Sequence, residues 1–408
     1  MSPTPVSMAF PTAPAGYTWE ATSESVAQKY SVPIGRILRF DLNTSPSPPE
    51  LVGRVLAANR FETSLSEYPP SDYRRLSEAA AAVYGVRCEE VLVGAGADEI
   101  LDMTAKAFLA PGLAAVIATP TYSMYRVVSE QRGAQVIAVS RLGRDESFGL
   151  DIDAMRFAAR EANLVWLCNP NNPTGRAERP GVIARLLEGI AADADADNRR
   201  LPGVAIDEAY AEFSGDSALP LLASYPRLVV IRTASKAYAL AGLRVGFALA
   251  RRETLALIEP YRPPGSVSTV SVTVVTEALR DRAWVEGNIE RIETERGRLA
   301  ARMADLGWDV QPSVTNFLLV NFGSAERAER MAHGFLRRGI VPRTFGQGHP
   351  LVDHLRFTVR APAEDDRLLE AACEIAGEIA AETAAEKAAE TPAETPAEEA
   401  LPAAGPTA

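Results

Sequence analysis

Seven short apolar runs, each set between stretches of helical periodicity, constrain the fold of this chain more than any other feature. They fall near residues 91–94, 115–118, 135–139, 164–168, 203–207, 228–232 and 245–250. Strands that are apolar at nearly every position have no face to give to water. Alternating with helices, they predict a mostly parallel seven-stranded sheet with helices on both faces, an α/β fold. After about residue 285 the pattern changes. A long Arg/Glu-rich amphipathic helix near 284–306 leads into strands at 316–320 and 354–359 and helices at 325–338 and 365–379, which read as a smaller α+β domain. A short helix over 21–30, an extended arm over 31–50 and a helix over 73–83 precede the first strand of the sheet. The expected division is a disordered N-terminus (1–17), an arm packing with the small domain (18–50), a large domain (51–285), a small domain (286–380) and a disordered acidic tail (381–408).

Ligands of open α/β sheets bind beyond the carboxyl ends of the strands, so the loops there carry the chemistry. After the first strand comes Gly94-Ala95-Gly96-Ala97-Asp98. Two glycines permit a tight turn, and the free N–H groups of Ala97 and Asp98 at the helix start suit one phosphate group. An ordinary helix cap by Asp98 is the alternative. The third glycine of a dinucleotide loop is absent. Thr119-Pro120-Thr121-Tyr122 places an aromatic ring at the same sheet edge, either stacked on a flat ligand or packed as core. Asn169-Pro170-Asn171-Asn172-Pro173-Thr174-Gly175 is a rigid turn that fixes Asn172 and aims its amide at a ligand oxygen. The run 204–207 ends in Asp207, which can pair with a pyridinium nitrogen or cap the following turn.

Thr233-Ala234-Ser235-Lys236, followed by Arg244, joins these to a lysine. A lysine buried at a strand end can lose its charge and form a Schiff base. Flanking hydroxyls and a guanidinium suit a phosphate. Lysine plus phosphate cradle suggests pyridoxal 5'-phosphate, held at both ends.

Taken in order, the segments GAD, PTY, NPNNPTG, DEAY, SK and AGLRVG resemble the fold-type I pyridoxal-phosphate aminotransferases of classes I and II, and within them the histidinol-phosphate aminotransferase group. The resemblance runs from about Phe40 to about Ala371. It implies a PLP-dependent transferase in which Lys236 carries the cofactor as a Schiff base and moves protons. Asp207 pairs with the ring nitrogen, Asn172 and Tyr210 contact the ring oxygen, and Tyr122 stacks on the ring. The phosphate is held by the Ala97 and Asp98 amides, Thr233, Ser235 and Arg244. Tyr68 reaches the phosphate of the neighbouring subunit, which implies a homodimer with shared sites. Arg356 clamps the substrate carboxylate, Arg343 binds a substrate phosphate or distal carboxylate, and Asn316 lies beside them. The implied reaction is L-histidinol phosphate + 2-oxoglutarate giving imidazole acetol phosphate + L-glutamate, in histidine biosynthesis. Alternatives are an aromatic or broad-range amino acid aminotransferase, a PLP decarboxylase of the threonine-phosphate type, and a scaffold that keeps the fold without the chemistry. The sequence departs from the group near the N-terminus. An acidic, Asn-rich segment followed by Pro-Tyr-Gly is usual there, but Leu42-Asn43-Thr44-Ser45-Pro46 lacks its glutamate and aromatic.

A net charge of -11 argues against nucleic acid as a partner. Five of those charges lie in residues 382–408, which hold six glutamates and one lysine and almost no apolar bulk. Cys88, Cys168 and Cys373, and His333, His349 and His354, show no metal-ligand spacing. No run approaches the ~20 apolar residues a bilayer span needs. The N-terminus lacks the basic and apolar regions of a signal peptide. A cytoplasmic enzyme with amino acid and 2-oxo acid substrates is the expectation.

Overall fold

A computed structural model describes residue 16 and residues 21–390. The disorder expected for 1–17 falls outside these apart from residue 16, as does the tail beyond 390. All seven apolar runs are strands: β1 (Val91–Gly94), β2 (Ala114–Thr119), β3 (Gln135–Ser140), β4 (Leu164–Cys168), β5 (Gly203–Asp207), β6 (Leu228–Thr233) and β7 (Gly246–Ala250). They form one sheet in the order β1-β7-β6-β5-β4-β2-β3, in which only β7 runs against its neighbours. Every residue of β4, β5, β6 and β7 is buried, whereas the edge strand β3 is not.

Period-two alternation sends successive side chains to opposite faces. Val165 and Leu167 join one hydrophobic cluster, and Leu164, Trp166 and Cys168 the other. Helices cover both clusters, so each strand side chain is removed from water, a gain of about 1.5–3 kcal/mol per large aliphatic residue. The polar ends of β4, β5 and β6 (Cys168, Asp207 and Thr233) emerge at one edge, where the site forms.

The helix Arg282–Asp305 is capped by Asp281, whose side chain accepts from Trp284 N. It runs unbroken through the expected domain boundary at 285/286, so no linker lies there. Beyond it a three-stranded antiparallel sheet is centred on Phe317–Asn321, flanked by His354–Thr358 and Asp309–Val310. The N-terminal arm joins this unit: Leu38–Arg39 pairs in parallel with Ile340–Val341. Thr358 N donates to Phe40 O at 2.7 Å, which leads residues 41–43 into the sheet-edge cleft.

One expectation is corrected. The tail was expected to be disordered from 381, but the last helix spans Pro362–Glu390. An Ala/Glu/Lys-rich run has high helix propensity, and the first proline after it is Pro392. Among the described residues, no helix is long and apolar enough to cross a membrane.

Candidate active site

A cleft of about 780 Å³ opens at the carboxyl ends of the strands, between the sheet edge, the N-terminal arm and the 341–349 loop. Lys236 lies at its centre. Its Nζ donates to Asn43 O at 3.2 Å and Leu42 O at 3.5 Å and stands 5.6 Å from the centre of the Tyr210 ring. Burial, and then the nearby Arg356 guanidinium, lower its pKa to about 8. The amine therefore gives up its proton more readily than a free lysine, and a larger share of it is the neutral nucleophile at ordinary pH.

Asp207 ends β5 with 4 % of its surface exposed. It accepts from Tyr125 Oη at 2.8 Å and from Ala209 N at 3.1 Å. Burial pushes its carboxyl up to about 6 against the pull of those two bonds. A carboxylate held dry at a strand end, with no basic side chain bonded to it, fits a cationic ring nitrogen.

The phosphate end is a cradle into which no Cβ fits. Gly96 has φ +83, and a Cβ built there would lie 2.6 Å from Arg244 Nη2. A Cβ on Gly246 would lie 2.7 Å from Ala97 N. The Ala97 and Asp98 amides open the helix Gly96–Phe108, where N–H groups have no helical partner. The Thr233 and Ser235 hydroxyls are 2.9 Å apart, and Ser235 N donates to Thr233 Oγ1 at 3.1 Å. All these residues line the cleft except the two glycines and Tyr125. A close backbone, a helix start, two hydroxyls and a guanidinium fit a monophosphate, so the residues present fit pyridoxal phosphate.

Several side chains act differently from expectation. The Asp98 carboxylate, not only its amide, takes part: Oδ2 lies 3.1 Å from Arg244 Nη2, and Oδ1 accepts from Tyr122 Oη at 3.0 Å. Tyr122 also meets Tyr125 edge-on at 5.7 Å and lines the cleft. Asn172 Oδ1 accepts from Arg356 Nη1. An amide has one oxygen and one nitrogen end, so this bond presents Nδ2 as its donor. Tyr210 is buried, edge-on to Phe317 at 5.3 Å, and its hydroxyl accepts from Asn43 Nδ2 at 3.0 Å. Burial raises its pKa well above that of a free phenol, so it stays a neutral phenol. The peptide bonds before Pro120, Pro170 and Pro173 are cis.

Arg356 is 6 % exposed and its guanidinium stands over the Phe317 ring at 5.1 Å. Its Nη2 donates to Asp41 O. Arg343 pairs with Arg356 as an antiparallel bridge, with N···O of 3.0 Å in both directions, so both side chains leave the same face. Asn316 is buried, with Nδ2 donating to Asn43 O at 3.0 Å. Its Oδ1 is buried with no hydrogen-bond partner among the described residues, and Asn316 sits behind Asn43 rather than in the lining of the cleft. Tyr68 does not reach the cleft of its own chain and is 89 % exposed.

Sequence reasoning missed Asn43 and Tyr125. Asn43 lies in the segment that departs from the family pattern; the structure places it at φ +53, a left-handed backbone that asparagine tolerates, and the residue type alone was the only signal in the sequence. Tyr125 follows the PTY segment, and nothing in its local pattern marks it as a partner of Asp207.

The chain belongs to the class I and II aminotransferases: the sequence pattern described as "Aminotransferase class I and II" matches residues 41–375. It is a PLP-dependent enzyme of the fold-type I architecture. Among its relatives, the histidinol-phosphate aminotransferase of Roseiflexus castenholzii is 34% identical over 369 residues, covering 88% of this chain and 95% of that one. The enzyme of the same name from Thermococcus gammatolerans is 36% identical over 351 residues, covering 85% and 95%. Among solved structures, histidinol-phosphate aminotransferase from Sinorhizobium meliloti in complex with pyridoxal-5'-phosphate superimposes with a TM-score of 0.79 at 24% identity, covering 89% of this chain and 96% of that one.

Proposed function

We propose that the chain transfers an amino group between L-histidinol phosphate and 2-oxoglutarate, giving imidazole acetol phosphate and L-glutamate. The observation that carries this reading is the pair Arg343 and Arg356, in register on one face of the cleft that holds Lys236. Two cations side by side suit substrates with an anion beyond the reacting amine. Glutamate has a distal carboxylate, and histidinol phosphate has a phosphate. The names of the relatives point to the same substrate.

When bound, pyridoxal phosphate supplies an aldehyde carbon that captures amines and a protonated ring that draws electrons from the substrate α-carbon. Asp207 would hold the proton on the ring nitrogen. The Ala97 and Asp98 amides, Thr233, Ser235 and Arg244 would hold the phosphate. Asn172 Nδ2 and Tyr210 Oη would bind the ring oxygen, Tyr122 would pack on the ring, and Asn316 would stand behind Asn43 near the substrate. Lys236 Nζ, whose basicity the cleft lowers, would take the proton from the substrate α-carbon and pass it to the carbon that carried the cofactor's aldehyde, so that the amino group stays with the cofactor. Arg356 clamps the carboxylate of glutamate, and Arg343 takes the distal anion. The arm closes over Lys236 through Leu42 and Asn43 and limits water there. The two amino acids use the cleft in turn, so the kinetics are ping-pong.

A homodimer goes with this reading. Tyr68, highly exposed on its own chain, is then buried against the phosphate site of a second copy. A cytoplasmic setting goes with the biosynthetic chemistry.

The test is glutamate formation from L-histidinol phosphate and 2-oxoglutarate by the holoenzyme, with Lys236→Ala as control. Turnover in the wild type and none in the variant is the expected result. Turnover with L-phenylalanine alone moves the assignment to an aromatic aminotransferase. Release of CO2 from O-phospho-L-threonine, with no glutamate formed from L-histidinol phosphate, moves it to a decarboxylase, and retained turnover in Lys236→Ala rejects the mechanism.

A further inference from the structure

His349 lines the cleft on the loop that follows Arg343. Its ring stacks on Phe345, with centroids 4.9 Å apart and planes 24° from parallel. Leu351 N donates to His349 Nδ1 at 3.1 Å. A backbone N–H can only donate, so Nδ1 is the acceptor and the proton of the neutral ring sits on Nε2. A second proton on Nδ1 would face the Leu351 hydrogen. Burial and the positive charge of Arg343 oppose it as well and hold the ring below its ordinary pKa. His349 is thus a donor fixed in one tautomer. No hydrogen bond among the described residues uses its Nε2–H.

Arg343 is close enough to act on His349 electrostatically, and both line the same cavity. An arginine fork satisfies the two oxygens of a carboxylate on one edge. A phosphate group carries a third oxygen, which an uncharged donor beside the fork can take. We propose that His349 and Arg343 form a subsite for the distal anion of the substrate, in which the His349 Nε2–H donates to a phosphate oxygen and favours phosphate over carboxylate. The inference rests on the transaminase reading above and adds to it the residue that separates the two substrates. Glutamate passes through the same cleft in the other half-reaction, and its carboxylate, with both oxygens turned to the fork, offers no third oxygen to the donor.

The experiment uses holoenzyme carrying His349→Phe, which keeps a ring against Phe345 and removes the donor, and His349→Gln, which keeps an N–H at similar reach. Two quantities are measured: kcat/KM for L-histidinol phosphate and for glutamate, and the Kd of methyl phosphate by calorimetry. One hydrogen bond from a neutral donor to an anion, about 1.5–3 kcal/mol, corresponds to roughly a tenfold change or more. His349→Phe is expected to lower kcat/KM for L-histidinol phosphate and to weaken methyl phosphate by about that factor. The glutamate half-reaction stays unchanged, and His349→Gln recovers most of the loss. Equal losses on both substrates, or no loss on either, overturn the subsite. If the wild type does not turn over L-histidinol phosphate, the substrate reading fails, and the methyl phosphate measurement still decides whether His349 binds phosphate.

Discussion

Tyr125→Phe tests how Asp207 is tuned for its cofactor. The ring of Tyr125 is stacked on Trp166 at 5.6 Å, and phenylalanine keeps that packing. Only the hydroxyl that donates to Asp207 Oδ2 at 2.8 Å is lost. A hydrogen bond to a charged group contributes about 1.5–3 kcal/mol, which at 1.36 kcal/mol per unit raises the carboxyl by about one to two pKa units. Asp207 then moves from about 6 to neutrality or above. At pH 7 the wild-type carboxyl is mostly ionised, and in the variant a proton competes with the ring nitrogen. The apparent Kd for pyridoxal phosphate therefore rises by up to roughly tenfold at pH 7 and converges on the wild-type value near pH 9. The apoprotein reports the same shift with a definite sign. A carboxyl raised from 3.8 to about 6 binds its proton more tightly when folded, so its contribution to stability is lost as pH rises through that window. In Tyr125→Phe the window extends upward. Titration of apoprotein with pyridoxal phosphate from pH 6 to 9, followed by tryptophan fluorescence, gives the Kd ratio. A ratio that is the same at every pH, or equal to one at pH 7, refutes the argument.

Gly246→Ala places a Cβ 2.5 Å from Gly96 C and 2.7 Å from Ala97 N, both backbone atoms. It should cost about 1–3 kcal/mol in urea unfolding and weaken cofactor phosphate binding; wild-type values for both reject the close-approach reading. Glu208→Ala leaves the buried Arg232 guanidinium without its 2.8 Å partner and with Glu212 alone at 3.0 Å. A loss of about 3 kcal/mol is expected in chemical denaturation, the low end for a broken buried pair because Glu212 remains. Reductive methylation of Lys236 in the apoprotein, followed by mass spectrometry, should rise with pH to half its plateau near 8; a midpoint near that of free lysine means the cleft does not lower its basicity.

The sequence by itself determined the α/β architecture, because runs apolar at nearly every position between amphipathic helices leave a mostly buried parallel sheet as the way to hide them. It also marked the loops that carry Ala97, Asn172, Asp207 and Lys236, since glycines, prolines and acidic strand ends constrain the local backbone. Strand order was not legible. β1 sits at the sheet edge beside the antiparallel β7, and strand apolarity is the same whichever strand lies alongside. The run 381–390 is legible as helix in its Ala-rich propensity, although it has almost no apolar bulk to bury and so reads as the start of the tail.

The partners of the site residues were decided only by tertiary structure. Asn43 meets Tyr210 at a separation of 167 residues, Lys236 at 193 and Thr358 at 315. Arg356 orients Asn172 across 184 residues, and Tyr125 reaches Asp207 across 82. Local pattern fixes which way a backbone turns over a few residues. It carries no record of which distant segment arrives opposite, and that depends on how the sheet, the arm and the small domain close on one another. The same closure sets the basicity of Lys236 and Asp207, because burial and neighbouring charge exist only once the cleft has formed.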